Sequence, residues 1–291
     1  MRIESMERGR VPKALEDVDE PISLLYYGEG GTGKTTDLFH AALLGKLWVA
    51  NAETGIKARA VKQWGIELDN FELFPGDDEK IEFDTVLGEW KRIREELHGD
   101  PGAYFATGWD SVSEIQALMK DEEMAARHMK KLRQGQEVSR FVMDEDNWRT
   151  VNEECRQLIR KFRYELPCHF IMTALERRDV DKQSGRVTIQ PAVTPGLQKD
   201  LVGWVDIVCH CRTIQLGDEE VYMGLMRNSG IYRGKDRYKL LPRQLVNPTF
   251  DRILKYYQGE LTLETDDEMN SLRERMEAAK KDEQEPAAIA A

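Results

Sequence analysis

Apolar and polar positions alternate along the chain in segments whose length and period predict strands and helices. Ile22 to Tyr27 is a short apolar and aromatic run ahead of a glycine cluster. Thr35 to Leu44 then carries a helical repeat of apolar positions, ended by Gly45. Strand, loop and helix are expected in that order. A second strand, Leu47 to Ala52, follows at once, and Ala103 to Trp109, His169 to Thr173 and Val205 to Cys211 read as further strands. Helical stretches separate them, notably Asp84 to Leu97 and Glu145 to Leu166. Strands alternating with helices of this length predict an α/β fold, with a mainly parallel sheet covered by helices on both faces. After Cys211 the texture changes: short strands around Val221 to Arg227 and Tyr238 to Leu241 predict an antiparallel ribbon appended to the sheet. The last clear helix spans roughly Pro248 to Gln258.

Residues 1–20 are polar and charged and read as an extended arm, so structure is expected to begin near Pro21. One domain over residues 21–258 follows, with a helical, basic insertion at 116–143, and residues 259–291 form an acidic tail. Charge supports this division. The chain has 42 basic and 53 acidic residues, a net of −11; the tail alone has ten acidic and four basic residues, a net of −6, which leaves −5 for the rest. Such a balance excludes a wholly cationic nucleic-acid coat and leaves room for a local basic groove. The tail reads as a solvated helix or disordered segment, or as a handle for a protein partner.

The longest stretch without a charged residue, Val187 to Gln198, has twelve residues, against roughly 18 for a membrane span. The start MRIESMERGR lacks the apolar core of a secretory signal. No membrane partner and a cytoplasmic location are therefore expected. Cys155, Cys168, Cys209 and Cys211 lie in apolar surroundings without paired CxxC spacing, so buried, reduced thiols are expected. A zinc reading of Cys209-His210-Cys211 is disfavoured: residues along a strand alternate between its faces, and no second ligand pair follows.

The candidate chemistry is concentrated at Gly28-Glu29-Gly30-Gly31-Thr32-Gly33-Lys34-Thr35, which matches GxxxxGK[ST] at every fixed position and sits between a strand and a helix. In such a loop the glycines let backbone N–H groups converge on phosphate oxygens, and the following helix adds its positive end. Lys34 is expected to reach the β and γ phosphates of ATP, and Thr35 to bind Mg²⁺ through its hydroxyl, with Thr36 a lesser candidate. Three later strand ends matter. Glu53 closes the second strand and is positioned to orient water; Asp110, before Ser111, is the acid expected to hold Mg²⁺; Thr173 is a candidate sensor of the γ phosphate.

This order of phosphate loop, Glu53, Asp110-Ser111 and Thr173 resembles the RecA superfamily of P-loop ATPases. More closely, YYGEGGTGKTT, WDSVSEI, HFIMTALERR and Gly234-Lys235-Asp236-Arg237-Tyr238 resemble phage-encoded RecA-like ATPases related to the Sak single-strand annealing proteins. The resemblance implies a host-cytoplasmic, homo-oligomeric ATPase acting on single-stranded DNA in recombination or annealing. It also implies that Lys235 and Arg237 enter a neighbouring subunit's nucleotide site, and that loops after the Asp-Ser and sensor strands line a DNA path. Those loops carry Arg127, Lys130, Lys131, Arg133 and Arg140, and then Arg177, Arg178, Lys182 and Arg186. The residue after Thr173 is Ala174, where recombinases often carry glutamine. A motor or remodelling ATPase acting on a protein partner is the main alternative. A small-molecule phosphotransferase is disfavoured for want of an arginine-rich lid, and a purely structural nucleotide is the remaining reading.

Overall fold

Strand β1 (Ser23–Gly28) sets the architecture, because Leu24 and Tyr26 face one side of it, Leu25 and Tyr27 the other, and all four are fully buried. A strand with two apolar faces needs a cover on each. The computed structural model describes residues 21–76, 80–136, 139 and 142–277. Within them β1 lies inside a ten-stranded sheet of order β10-β8-β7-β1-β5-β4-β2-β3, with β6 added to β5 and β9 to β7. The strands are β2 (Leu47–Asn51), β3 (Phe71–Phe74), β4 (Ala106–Asp110), β5 (His169–Val180), β6 (Val187–Pro191), β7 (Ile207–Leu216), β8 (Glu219–Leu225), β9 (Lys235–Asp236) and β10 (Gln244–Val246). The run from β3 to β7 is parallel throughout, and β8, β9 and β6 join antiparallel. The α/β fold, the mainly parallel core and the terminal antiparallel ribbon are as expected.

One face is covered by α3 (Phe83–Gly99), α4 (Val112–Arg133), α5 (Glu145–Glu165) and α6 (Pro195–Trp204). The other is covered by α1 (Lys34–Phe39), which continues as a 3₁₀ turn through Leu43, by α2 (Ala58–Gln63) and by α7 (Phe250–Gln258). Phe162 of α5 centres the first face: its ring stacks on Trp48 and Phe170 and meets Trp109 edge-on. On the second face Gly108, which weakens β4 as a sequence pattern, is what admits α1. A Cβ there would lie 3.3 Å from both Leu38 methyls.

Four elements depart from the sequence reading. The segment Tyr238 to Leu241 is a turn rather than a strand, because Lys239 takes a left-handed backbone (φ 60°) and Asp236 accepts hydrogen bonds from the Tyr238 and Leu241 amides. Residues 116–143 are no separate insertion, since Gln116 lies in the second turn of the 22-residue α4, capped by Ser111. Only Val112, Ile115, Gln116 and Met119 of α4 are buried, so its distal half leaves the sheet beyond the strands' carboxyl ends, paired antiparallel with α5 through Gln116–Asn152, Glu123–Asn147 and Arg127–Asp144. Strand β5 also outruns the core: past Leu175 it pairs only with β6, forming a second projection at the same edge. Residues 259–277, read from their charge as solvated, pack against the second face. Met269 and Leu272, in a helical stretch over 267–277, are buried, and the Asp266 carboxylate accepts from Arg252 and Tyr256. The proposed arm at 1–20, Arg140 and the tail beyond 277 lie outside the described residues.

Phe162→Ala removes the ring shared by Trp48, Trp109 and Phe170, and is expected to cost about 3–5 kcal/mol of stability. Denaturant titration of the variant beside the parent checks this.

Candidate nucleotide site

The phosphate loop leaves β1 at Gly28 and enters α1 at Lys34, with Gly31 and Gly33 in left-handed conformations (φ 83° and 85°) that a side chain would strain. The Lys34 ammonium is buried and donates to the Gly28 and Glu29 carbonyls at 3.1 and 2.5 Å, while the Thr32 hydroxyl donates to the Glu29 carbonyl at 2.9 Å. Gly28 and Glu29 thus hold the lysine. Gly30, Gly31, Thr32, Gly33, Lys34, Thr35 and Thr36 line one end of a cavity of about 720 Å³.

The parallel order brings the three predicted strand ends to this loop. Asp110, at the end of β4, is 1% exposed; it accepts from Thr35 of α1 at 3.0 Å and from Thr173 of β5. Burial, the largest influence, raises the Asp110 pKa, the hydrogen bond from Thr173 opposes it, and the nearby Glu53 charge reinforces it. The Glu53 amide donates to the Asp110 carbonyl at 3.1 Å, and its carboxylate accepts from the Ser111 hydroxyl while remaining exposed in the cavity wall. The Thr35 hydroxyl and Asp110 carboxylate are adjacent hard oxygen donors, a set that fits Mg²⁺ completed by phosphate oxygens and water. Thr173, fully buried, holds Asp110 in this chain.

The remaining predicted residues are elsewhere. Lys235, in β9, and Arg237, just after it, point the same way, toward the end of α6. Lys235 donates to the Val202, Gly203 and Val205 carbonyls at 2.6–2.9 Å, and Arg237 donates to Gly203 and Trp204 and pairs with the buried Asp206 at 3.0 Å. Since β9 pairs with Ile207 and Val208 at the start of β7, both cations lie at the sheet edge opposite their own phosphate loop. Of the basic residues proposed for DNA, Arg127 is paired with Asp144 and Arg177 with Asp179; Lys131 is half-buried; Lys130, Arg133, Arg178, Lys182 and Arg186 are exposed on the two projections.

Sequence alone did not indicate the far end of the cavity, where Tyr222, Asn247, Arg252, Leu261 and Glu268 join the loop. They are dispersed over five separate segments and carry no shared motif. A larger cavity, about 860 Å³, lies between α4 and α5, lined by Met124, Met129, Met143 and Trp148 and far from any phosphate-binding group. All four cysteines are reduced and buried, and burial pushes the Cys155 and Cys168 thiols up to about 12. His210 faces away from Cys209 and Cys211 and bonds Glu176 at 2.8 Å, so no zinc site forms there.

A family model described as an AAA domain matches residues 20–238, a span that takes in the loop, Glu53, Asp110, Thr173, Lys235 and Arg237. The chain belongs to the AAA domain family. No curated protein sequence matches it. Among solved structures this AAA domain is similar to the RadB recombinase, at 14% identity and a TM-score of 0.45 over 72% of this chain and 84% of that one. It is also similar to the flagellar accessory protein FlaH from Methanocaldococcus jannaschii, at 12% identity and a TM-score of 0.41 over 78% and 85%. Among the described residues no helix of this AAA domain is long and apolar enough to cross a membrane.

Asp37, in the first turn of α1, is buried, and the thiol of Cys211 is 4.0 Å from its carboxylate. Burial and then the Asp251 charge hold its pKa well above the carboxylate range, with Lys34 opposing. A raised pKa contributes stability that is full below the unfolded value and is lost as pH rises through the folded one. Asp37→Asn is therefore expected to melt higher than the parent at about pH 8, by about 2–4 °C per kcal/mol relieved, with the gap closing toward about pH 4. Melting curves across that range check it.

Proposed function

We propose that this AAA domain is a Mg²⁺-dependent ATPase that works as a homo-oligomer on single-stranded DNA in recombination or annealing. The observation that carries the ATPase reading is Asp110, buried at the mouth of the phosphate loop and held by the hydroxyls of Thr35 and Thr173. The loop amides and Lys34 hold the β and γ phosphates. Bound Mg²⁺ would neutralise charge on those phosphates as the γ bond breaks. Thr35 and Asp110 fix that ion's protein side, and Glu53, exposed in the same cavity and steadied by Ser111, accepts a proton from the attacking water. Support for DNA comes from the exposed basic residues on the two projections beyond the strand ends. Support for oligomers comes from Lys235 and Arg237, which are out of reach of their own loop, so that a part for them in hydrolysis lies at a neighbour's site and requires release of their contacts with the end of α6 and Asp206. The second reading, a remodelling ATPase acting on a protein, is favoured by the methionine-lined cavity on the α4–α5 hairpin.

Steady-state hydrolysis decides between them. With Lys34→Ala as the blank, the parent is expected to hydrolyse ATP faster with single-stranded DNA, the stimulation fading as salt rises. Glu53→Gln is expected to lose about 10²-fold or more in turnover while still binding ATP. DNA-indifferent hydrolysis moves the assignment to the protein-remodelling reading.

If Lys235 and Arg237 act on a neighbour, specific activity rises with protein concentration. Adding Arg237→Ala, whose own loop is intact, to Lys34→Ala, whose cations are intact, restores turnover in mixed oligomers. Failure of the mixture to exceed either variant alone rejects the role in trans.

A further inference from the structure

The cavity that starts at the phosphate loop has two chemically distinct ends. At the loop, Lys34 and the glycine-rich backbone call for an anion. At the far end Glu268 lines the same space, joined by Asn247, Arg252, Lys255 and the apolar side chain of Leu261. A carboxylate repels phosphate and accepts hydrogen bonds from hydroxyl and N–H groups. A ligand spanning both ends is anionic at one and carries hydroxyls or amines at the other, as a nucleoside triphosphate does.

The segment bearing Glu268 is built for this position. Asp266, 1% exposed, accepts from Arg252, from the Tyr256 hydroxyl at 2.6 Å and from the Met269 amide at 3.0 Å, and Met269 and Leu272 are buried beneath it. That anchor fixes Glu268, whose carboxylate accepts from Asn247 at 2.8 Å and pairs with Arg252 at 2.6 Å, with half of its side chain still exposed for further donors. Asn247 is tied in turn to Tyr222, whose carbonyl accepts from its amide at 2.9 Å, and the Tyr222 ring lies against Gly33 of the loop. The two ends of the cavity are thus one connected structure.

We infer that Leu261 and Glu268 form a nucleoside-reading wall of this site, with Glu268 accepting from the ribose hydroxyls or an amine of the base, so that docking of the C-terminal segment and nucleotide binding are linked. The inference rests on the nucleotide reading above. A ligand that touches both ends stabilises the docked segment, and one confined to the phosphate end does not.

The test compares ATP with inorganic tripolyphosphate, which has the same anionic end and no nucleoside, on the full chain. Calorimetry is expected to show Glu268→Gln weakening ATP about tenfold, through loss of one charge-assisted hydrogen bond, with tripolyphosphate affinity unchanged. Hydrogen exchange of residues 266–277 in the parent, which needs no variant, is expected to slow with ATP and not with tripolyphosphate. Equal effects of the substitution on both ligands, an unchanged ATP affinity, or equal protection by both overturns the inference and leaves the nucleotide reading standing. Binding of neither ligand to the parent overturns both.

Discussion

One buried carboxylate organises the site. Asp110 ends β4 with 1% of its surface exposed, and its charge is tolerable there because two hydroxyls, from α1 on one side and β5 on the other, donate to it. Those donors come from elements that meet only because β5 lies between β4 and β1 in the sheet. Strand order, the packing of α1 through Gly108, and the phosphate loop's position are thus all conditions on one hydrogen-bonded group. Displacing any of them leaves a buried charge without partners, a costlier defect than the loss of the hydrogen bonds themselves.

The parts of the molecule that follow local rules were readable from sequence. The loop sits where GEGGTGKT lies between an apolar run and a helical one, and Glu53, Asp110 and Thr173 end strands whose apolar character is local. What was not readable depends on distant partners. Beyond Leu175, β5 runs through four consecutive charged residues, Glu176 to Asp179, and pairs only with a hairpin mate, so nothing in the sequence marks it as a continuation of the core strand. Residues 259–277 look solvated because their charges outnumber their apolar groups, yet Asp266 is neutralised by Arg252 and so allows Met269 and Leu272 to dock. The far wall of the cavity is drawn from Tyr222, Asn247 and Glu268, and only the antiparallel ribbon and the last helical stretch bring them together. Clustering of basic residues overstated the free charge, since Arg127 and Arg177 are matched by nearby aspartates.

The distribution of ion pairs separates two kinds of surface. At the amino-terminal ends of the strands Asp206 is buried among Ser23, Arg163 and Arg237, an ion-paired cluster that fastens β1, α5 and the residue following β9 to one another. At the carboxyl ends the corresponding polar groups are distributed around open space: Lys34, Glu53 and Glu268 each keep a side facing the cavity. Rigidity is built into one edge and chemical freedom into the other, the usual division of labour in open α/β sheets.

Helix α4 begins one residue after Ser111, in the same turn of chain that carries Asp110, and its 22 residues make a rod of about 33 Å. Only its first two turns are fixed to the sheet. Such a rod is a lever with its fulcrum at the phosphate site: tilting its base by about 6° carries its tip by about 3 Å. For any such tilt the displacement is largest at the basic end of the hairpin, where Lys130 and Arg133 stand.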